Sequence, residues 1–145
     1  MSKSICFRID SISTTEFATI EDVKVSDDMI ALKTGVGFKV DLKNNFIGVE
    51  PKFVFLSQEN PFIIISVLCN FFLDDDSINQ FKQESRFVIP KDFATHLAVI
   101  AVGTTRGVLH SKTENTAFNK YIIPTINLIE IITNDLVVDP QEWLI

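Results

Sequence analysis

Between Val36 and Leu73 the chain runs through three successive stretches of period-two alternation, and only later turns to a helical period. Val36, Phe38, Val40 and Leu42 alternate with Gly37, Lys39 and Asp41, the pattern of a half-buried strand. Lys43-Asn44-Asn45 interrupts it with residues that tolerate positive φ, which predicts a hairpin turn. Ile47, Val49, Phe53 and Phe55 resume the alternation, with Gly48 and Pro51 marking an edge or bulge. Gln58-Glu59-Asn60-Pro61 predicts the next turn, and Phe62 to Leu73 the third strand. Both faces of that third run are mostly apolar, so both should be covered by protein at least part of the time.

Around this meander the other elements fall in order. Ile5 to Ile20 reads as a strand with a kink or bulge near Ser11 to Thr15. Asp74-Asp75-Asp76-Ser77 can cap a short helix through Phe81. Pro90 to Lys112 reads as one long helix, with Pro90 suited to its first turn and Asp92 favouring its dipole. Phe93, Leu97, Ile100, Thr104 and Val108 form one stripe of this helix. Ala94, Ala98, Ala101 and Thr105 form a second stripe, whose small side chains would let another helix approach closely; it is the expected oligomer interface. Tyr121 to Ile132 is apolar and β-branched, and its pattern fits strand and helix alike. Asp139 to Ile145 is a short tail with an apolar tip. Strands first and helices last predict an α+β fold: an antiparallel sheet with a long helix on one face, in a single domain over residues 1–145.

Composition adds one constraint. The chain has 145 residues, 46% of them hydrophobic, a mean hydropathy of +0.24, and 13 Phe beside one Tyr and one Trp. A domain of this size has a high surface-to-volume ratio, so the surplus apolar area calls for subunit interfaces or a binding patch. A net charge of −6 argues against nucleic acid as a partner. The longest apolar run, Phe62 to Leu73, is broken by Ser66 and Asn70 and is too short to cross a bilayer. Met1 to Arg8 carries no signal-peptide pattern. Cys6 and Cys69 lie among apolar neighbours and read as small core residues in a reducing compartment, so a cytoplasmic protein is expected.

Nothing in the sequence marks a reaction. His96 and His110, fourteen positions apart on one helix, would stand roughly 21 Å apart, too far to share a metal. A calcium loop starting at Asp74 would need Gly and Glu where Asn79 and Ser85 stand. Gly103-Thr104-Thr105-Arg106-Gly107 lacks the Lys-Ser/Thr ending of a phosphate loop and falls inside a helix. Nucleophile-elbow, zinc-protease and Cys-x-x-Cys patterns are missing too, so the expectation is a protein without catalysis, cofactor or metal.

Three pieces of the chain resemble the SecB family of protein-export chaperones and its SecB-like relatives. They are Ile89-Pro90 at the helix start, Thr104-Thr105-Arg106-Gly107 towards its end, and Pro124-Thr125-Ile126-Asn127 beyond it. The spacing from Gly107 to Pro124 is longer than is typical of the family, and Thr125 stands where the family has a second Pro. The resemblance implies a four-stranded antiparallel sheet followed by a long helix and a shorter C-terminal helix, assembled as a homotetramer, a dimer of dimers. It implies an ATP-independent holdase for unfolded preproteins, sometimes passed to the SecA motor, or for the antitoxin of a toxin–antitoxin pair. On this reading Phe38, Val40, Phe53, Phe55, Phe62 and Ile64 wall the client groove, with Ile126, Leu128 and Ile131 as a lip. Arg106 is expected to serve structure, for instance by pairing with a carboxylate across an interface. Two other readings stand beside it: an oligomeric immunity or interaction protein with one folded partner, and, more remotely, a hotdog-like acyl-group enzyme.

Overall fold

The computed structural model describes residues 4–138, which form an α+β fold. Four long strands, β1 (Phe7–Thr19), β2 (Ile30–Asp41), β3 (Phe46–Ser57) and β4 (Asn60–Leu73), make one antiparallel sheet in the order β1-β4-β3-β2. The meander β2-β3-β4 is the one expected, but β2 begins at Ile30, upstream of the alternation at Val36. Ile30, Leu32 and Thr34 continue the inward face; polar Thr34 and the missing side chain of Gly35 dilute the signal. Asn45 (φ 61°) closes the first hairpin. Gln58 and Glu59 (φ 50° and 70°) close the second, the left-handed pair of a two-residue hairpin turn.

β1 pairs with β4, so the chain crosses from one edge of the sheet to the other between Thr19 and Ile30. The register shifts twice along this pair, between Ile9 and Ser11 and between Thr14 and Glu16, at the expected irregularity. α1 (Asp75–Asn79) follows β4, with Asp74 Oδ1 accepting from the Ser77 amide at 2.8 Å. A second sheet, β5 (Lys82–Gln83), β6 (Arg86–Ile89) and β7 (Leu136–Val138), was not anticipated. Its strands are too short to show a period, and β6 and β7 are brought together by tertiary packing alone.

α2 (Lys91–Lys112) lies on one face of the large sheet, over β3 and β4. The covered face carries Ile47, Val49, Phe53, Phe55, Ile63, Ile65, Val67, Cys69, Phe71 and Leu73, all buried. Against it α2 sets Ala94, Leu97, Ala98, Ala101, Thr105 and Leu109. This corrects one expectation. The stripe Ala94, Ala98, Ala101 and Thr105 is wholly buried within the protomer, where its small side chains bring the helix down onto its own sheet rather than onto another subunit. Cys6 is corrected likewise: it is exposed, and only Cys69 is a core residue. Tyr121 to Ile132 is largely irregular, and the shorter C-terminal helix is a single turn, α3 (Leu128–Ile131). The apolar tip of the tail lies outside the described residues.

Candidate functional surfaces

Two apolar surfaces remain open. The first is a groove of about 550 Å³ at the end of the β2–β3 hairpin, lined by Phe38, Lys39, Val40, Asp41, Phe46, Gly48, Asn70 and Val138. Gly48 is what hollows it. A Cβ there would stand 2.9 Å from Asn70 Oδ1 and 3.2 Å from Leu68 Cδ1, so any side chain would have to displace its neighbours. The groove wraps a free sheet edge, because β2 is the last strand on its side.

The second surface joins β1, the opposite free edge, to the outer face of α2. Phe7 packs edge-on against His96 near the start of α2 (centroids 5.7 Å), and Lys112 Nζ stands 5.5 Å over the ring of Phe17 near its end, so strand and helix run side by side. α2 covers β3 and β4 but leaves Ile9, Ile12 (52% exposed) and Phe17 on β1 in solvent. The outer face of the helix adds Val99 (55% exposed), Gly103 and Gly107. A side chain at Gly107 would meet nothing.

The residues expected to wall a client groove divide among three places. Phe38 and Val40 line the groove. Phe53, Phe55 and Phe62 do not: they are buried in the core. The ring of Phe62 packs against those of Phe55 (6.2 Å) and Tyr121 (5.0 Å). The register slips beside Phe55, so Phe62 and Ile63 both turn inward and strict alternation misplaces Phe62. Ile64 is half-buried on the other face of the sheet, beside Val54. Leu128 is buried, Ile126 half-buried and Ile131 exposed, so the lip reduces to the outer side of α3. Ile129, missed from sequence, is its most exposed apolar residue at 74%. Phe46 and Gly48 were missed in the groove, although the break at Gly48 had marked an irregularity.

The outer face of the sheet mixes half-buried apolar side chains, Phe46, Val54, Ile64 and Phe72, with a polar cluster organised around Glu50. Thr15 Oγ1 donates to its carboxylate at 2.5 Å and Ser66 Oγ at 2.9 Å, and Lys39 Nζ stands at 3.7 Å. These four residues come from β1, β4, β3 and β2, so the carboxylate ties the whole sheet together. The hydrogen bond from Thr15 is the main force holding the Glu50 carboxyl below its ordinary range; partial burial opposes it. Burial pushes the Cys69 thiol up and away from reactivity. Tyr121 donates to Asp27 Oδ1 at 3.0 Å, and burial followed by that bond raises its phenol. Arg106 donates to main-chain carbonyls of the returning segment, and among the described residues of this chain it has no carboxylate partner. Among the described residues no group of three or more His, Cys, Asp or Glu is placed to hold a metal ion, and no helix is long and apolar enough to cross a membrane. No protein-family model matches the sequence, and no curated protein matches it significantly.

Proposed function

We propose that the protein is an ATP-independent chaperone of the SecB kind, a holdase that self-assembles and keeps extended apolar polypeptide from aggregating. The observation that carries this reading is the apolar strip left open along edge strand β1 and the outer face of α2. A 13-residue edge strand with one side unpaired and Ile9, Ile12 and Phe17 exposed invites pairing with another chain. A two-fold axis at Ile12 would set β1 antiparallel to its copy, with Phe7 opposite Phe17 and Arg8 opposite Glu16. Within each pair the two residues share a sheet face, so apolar meets apolar and plus meets minus on both sides. Val99, Gly103 and Gly107 are the helix surface left for a second contact, which makes a dimer of dimers the assembly this reading favours.

Clients would enter the hairpin grooves as extended segments, each large side chain buried contributing about 1.5–3 kcal/mol. Several grooves on one assembly multiply weak contacts into useful avidity. On this reading the client is an exported precursor, handed over to SecA, or an antitoxin, and the site of action is the cytoplasm. No catalytic step or cofactor belongs to this function. Light scattering of a denatured client on dilution tests it. Suppression near a stoichiometric ratio is expected; none, across several clients that include neighbouring gene products, would refute the chaperone reading. A monomeric mass in size-exclusion chromatography at micromolar concentration would refute the assembly.

A further inference from the structure

We infer that a client docks by adding a strand to the free edge of β2, and that the strand it fits alternates apolar side chains with acidic ones. Resting on the holdase reading, this strand is the part of the client that the protein grips. β2 ends its side of the sheet and pairs with β3 over all twelve residues, Ile30 to Asp41, in unbroken register. No proline interrupts it. Every second residue therefore points its N–H and C=O outward, a straight ladder with no strand beside it among the described residues. The two faces of the edge set the pattern. Towards α2, Ile30, Leu32, Val36 and Phe38 are half-buried and packed on the core, so apolar neighbours would finish covering them. Phe38 and Val40 carry this row into the groove at the hairpin end. On the outer face stand Lys33, Gly35, Gly37 and Lys39. A side chain at Gly35 would meet nothing, and one at Gly37 only the Glu50 carbonyl at 3.9 Å, so the floor between the lysines is open to a partner's side chains. Lys33 has no ion pair among the described residues, and Lys39, 3.7 Å from Glu50, keeps its side chain 68% exposed. Two lysines six positions apart, in a chain of net charge −6, call for carboxylates at the same spacing on the incoming strand. A second copy fits worse. The two fullest antiparallel self-pairings centre on Val36, which sets Lys33 opposite Lys39, or on Gly35, which sets the lysines opposite Gly37 and Ala31. Neither offers a lysine a carboxylate.

The probe is the peptide Val-Glu-Val-Thr-Val-Thr-Val-Glu-Val, labelled for fluorescence anisotropy, beside a twin in which Lys replaces both Glu. The full chain should bind the first about tenfold more tightly than the twin, because two opposite-charge pairs become two like-charge ones. Lys33→Glu should cancel that preference, and circular dichroism verifies that this exposed substitution leaves the fold intact. Hydrogen exchange read by NMR locates the strand. The outward amides of Ile30–Asp41, every second one, should exchange fast in the free chain and slow several-fold with the acidic peptide. Equal binding of the two peptides, or slowing confined to β1 or to other regions, would overturn the docking. Alternate β2 amides already slow without peptide would overturn it too: protection that rises with protein concentration assigns the edge to a second copy, and protection at every concentration assigns it to the chain itself. Light scattering of a denatured client separates this mode from the holdase reading. Suppression of aggregation with no protection on β2 keeps the holdase and refutes the added strand; protection on β2 with no suppression keeps the added strand and refutes the holdase.

Discussion

Arg106 Nε donates to the carbonyl of Ile123 at 2.6 Å, and its Nη2 donates to the next carbonyl, that of Pro124, at 2.8 Å. One planar fork thus holds two consecutive peptide groups seventeen and eighteen residues away. The clamp fastens the segment after α2 to the helix, beside Ile123, which is buried. The two stretches Thr104–Gly107 and Pro124–Asn127, distant in sequence, are therefore one structural unit.

Arg106→Ala is predicted to destabilise the fold by about 1.5–3 kcal/mol, the usual worth of hydrogen bonds from a charged group. Arg106→Lys should recover only part of this, because an ammonium cannot bridge two carbonyls in one plane. Urea unfolding of the three proteins measures it. Equal stability of the Lys variant and the parent would show that charge alone matters.

The sheet was readable because period two survives wherever one face is buried. Val36 to Leu73 declares three strands and both turns. What periodicity cannot declare is the material covering a face. Ala94, Ala98, Ala101 and Thr105 share a stripe in sequence and in structure, but an alanine stripe is as well suited to a sheet as to a second helix. Phe53 and Phe55 show the same ambiguity: correctly paired in alternation, they lie in the core, Phe55 beside the ring of Tyr121, rather than in a groove. Phe62 fails for a different reason, a register slip that no residue type announces. Arg106 depends on a contact across the returning loop, and β5 to β7 on pairing between pieces too short to carry a pattern.

Core and groove residues separate by what truncation does. Phe62→Ala and Phe53→Ala are predicted to cost about 3–5 kcal/mol, as deletions from a packed interior. Phe46→Ser, on the groove wall, should cost far less. Thermal or urea melts decide it, and a Phe62→Ala variant as stable as the parent would return Phe62 to the surface.

The two faces of α2 should respond oppositely. Ala98→Leu forces volume between helix and sheet and is predicted to cost about 1–3 kcal/mol of fold stability. Val99→Glu and Ile12→Glu lie in solvent in the single chain. They should leave the fold intact and lower the mass seen by light scattering coupled to size exclusion. A native mass in both variants would place the contact between copies elsewhere.

Glu50 makes the stability of the sheet depend on pH in one direction. Its carboxyl is held below the ordinary 4.5, first by the hydrogen bond from Thr15 and then by Ser66 and Lys39, against a desolvation that raises it. The folded state therefore binds the proton less readily than the unfolded chain. The stabilisation is fully present above the unfolded value and is lost as pH falls through the lower, folded one. Asp74, lowered by Ser77, shifts in the same direction, so the parent alone cannot apportion the effect. The difference between parent and Glu50→Gln isolates it: predicted constant from neutral pH down to about 4.5, then shrinking with acid. Thr15→Val should remove much of the same difference, because it deletes the main hydrogen bond. Lys39→Met should remove less, since its side chain is 68% exposed and solvent screens the pair. Urea midpoints of the four proteins across the acid range measure this, and a gap between parent and Glu50→Gln that does not close below pH 4.5 would show that the carboxylate is not what ties the four strands.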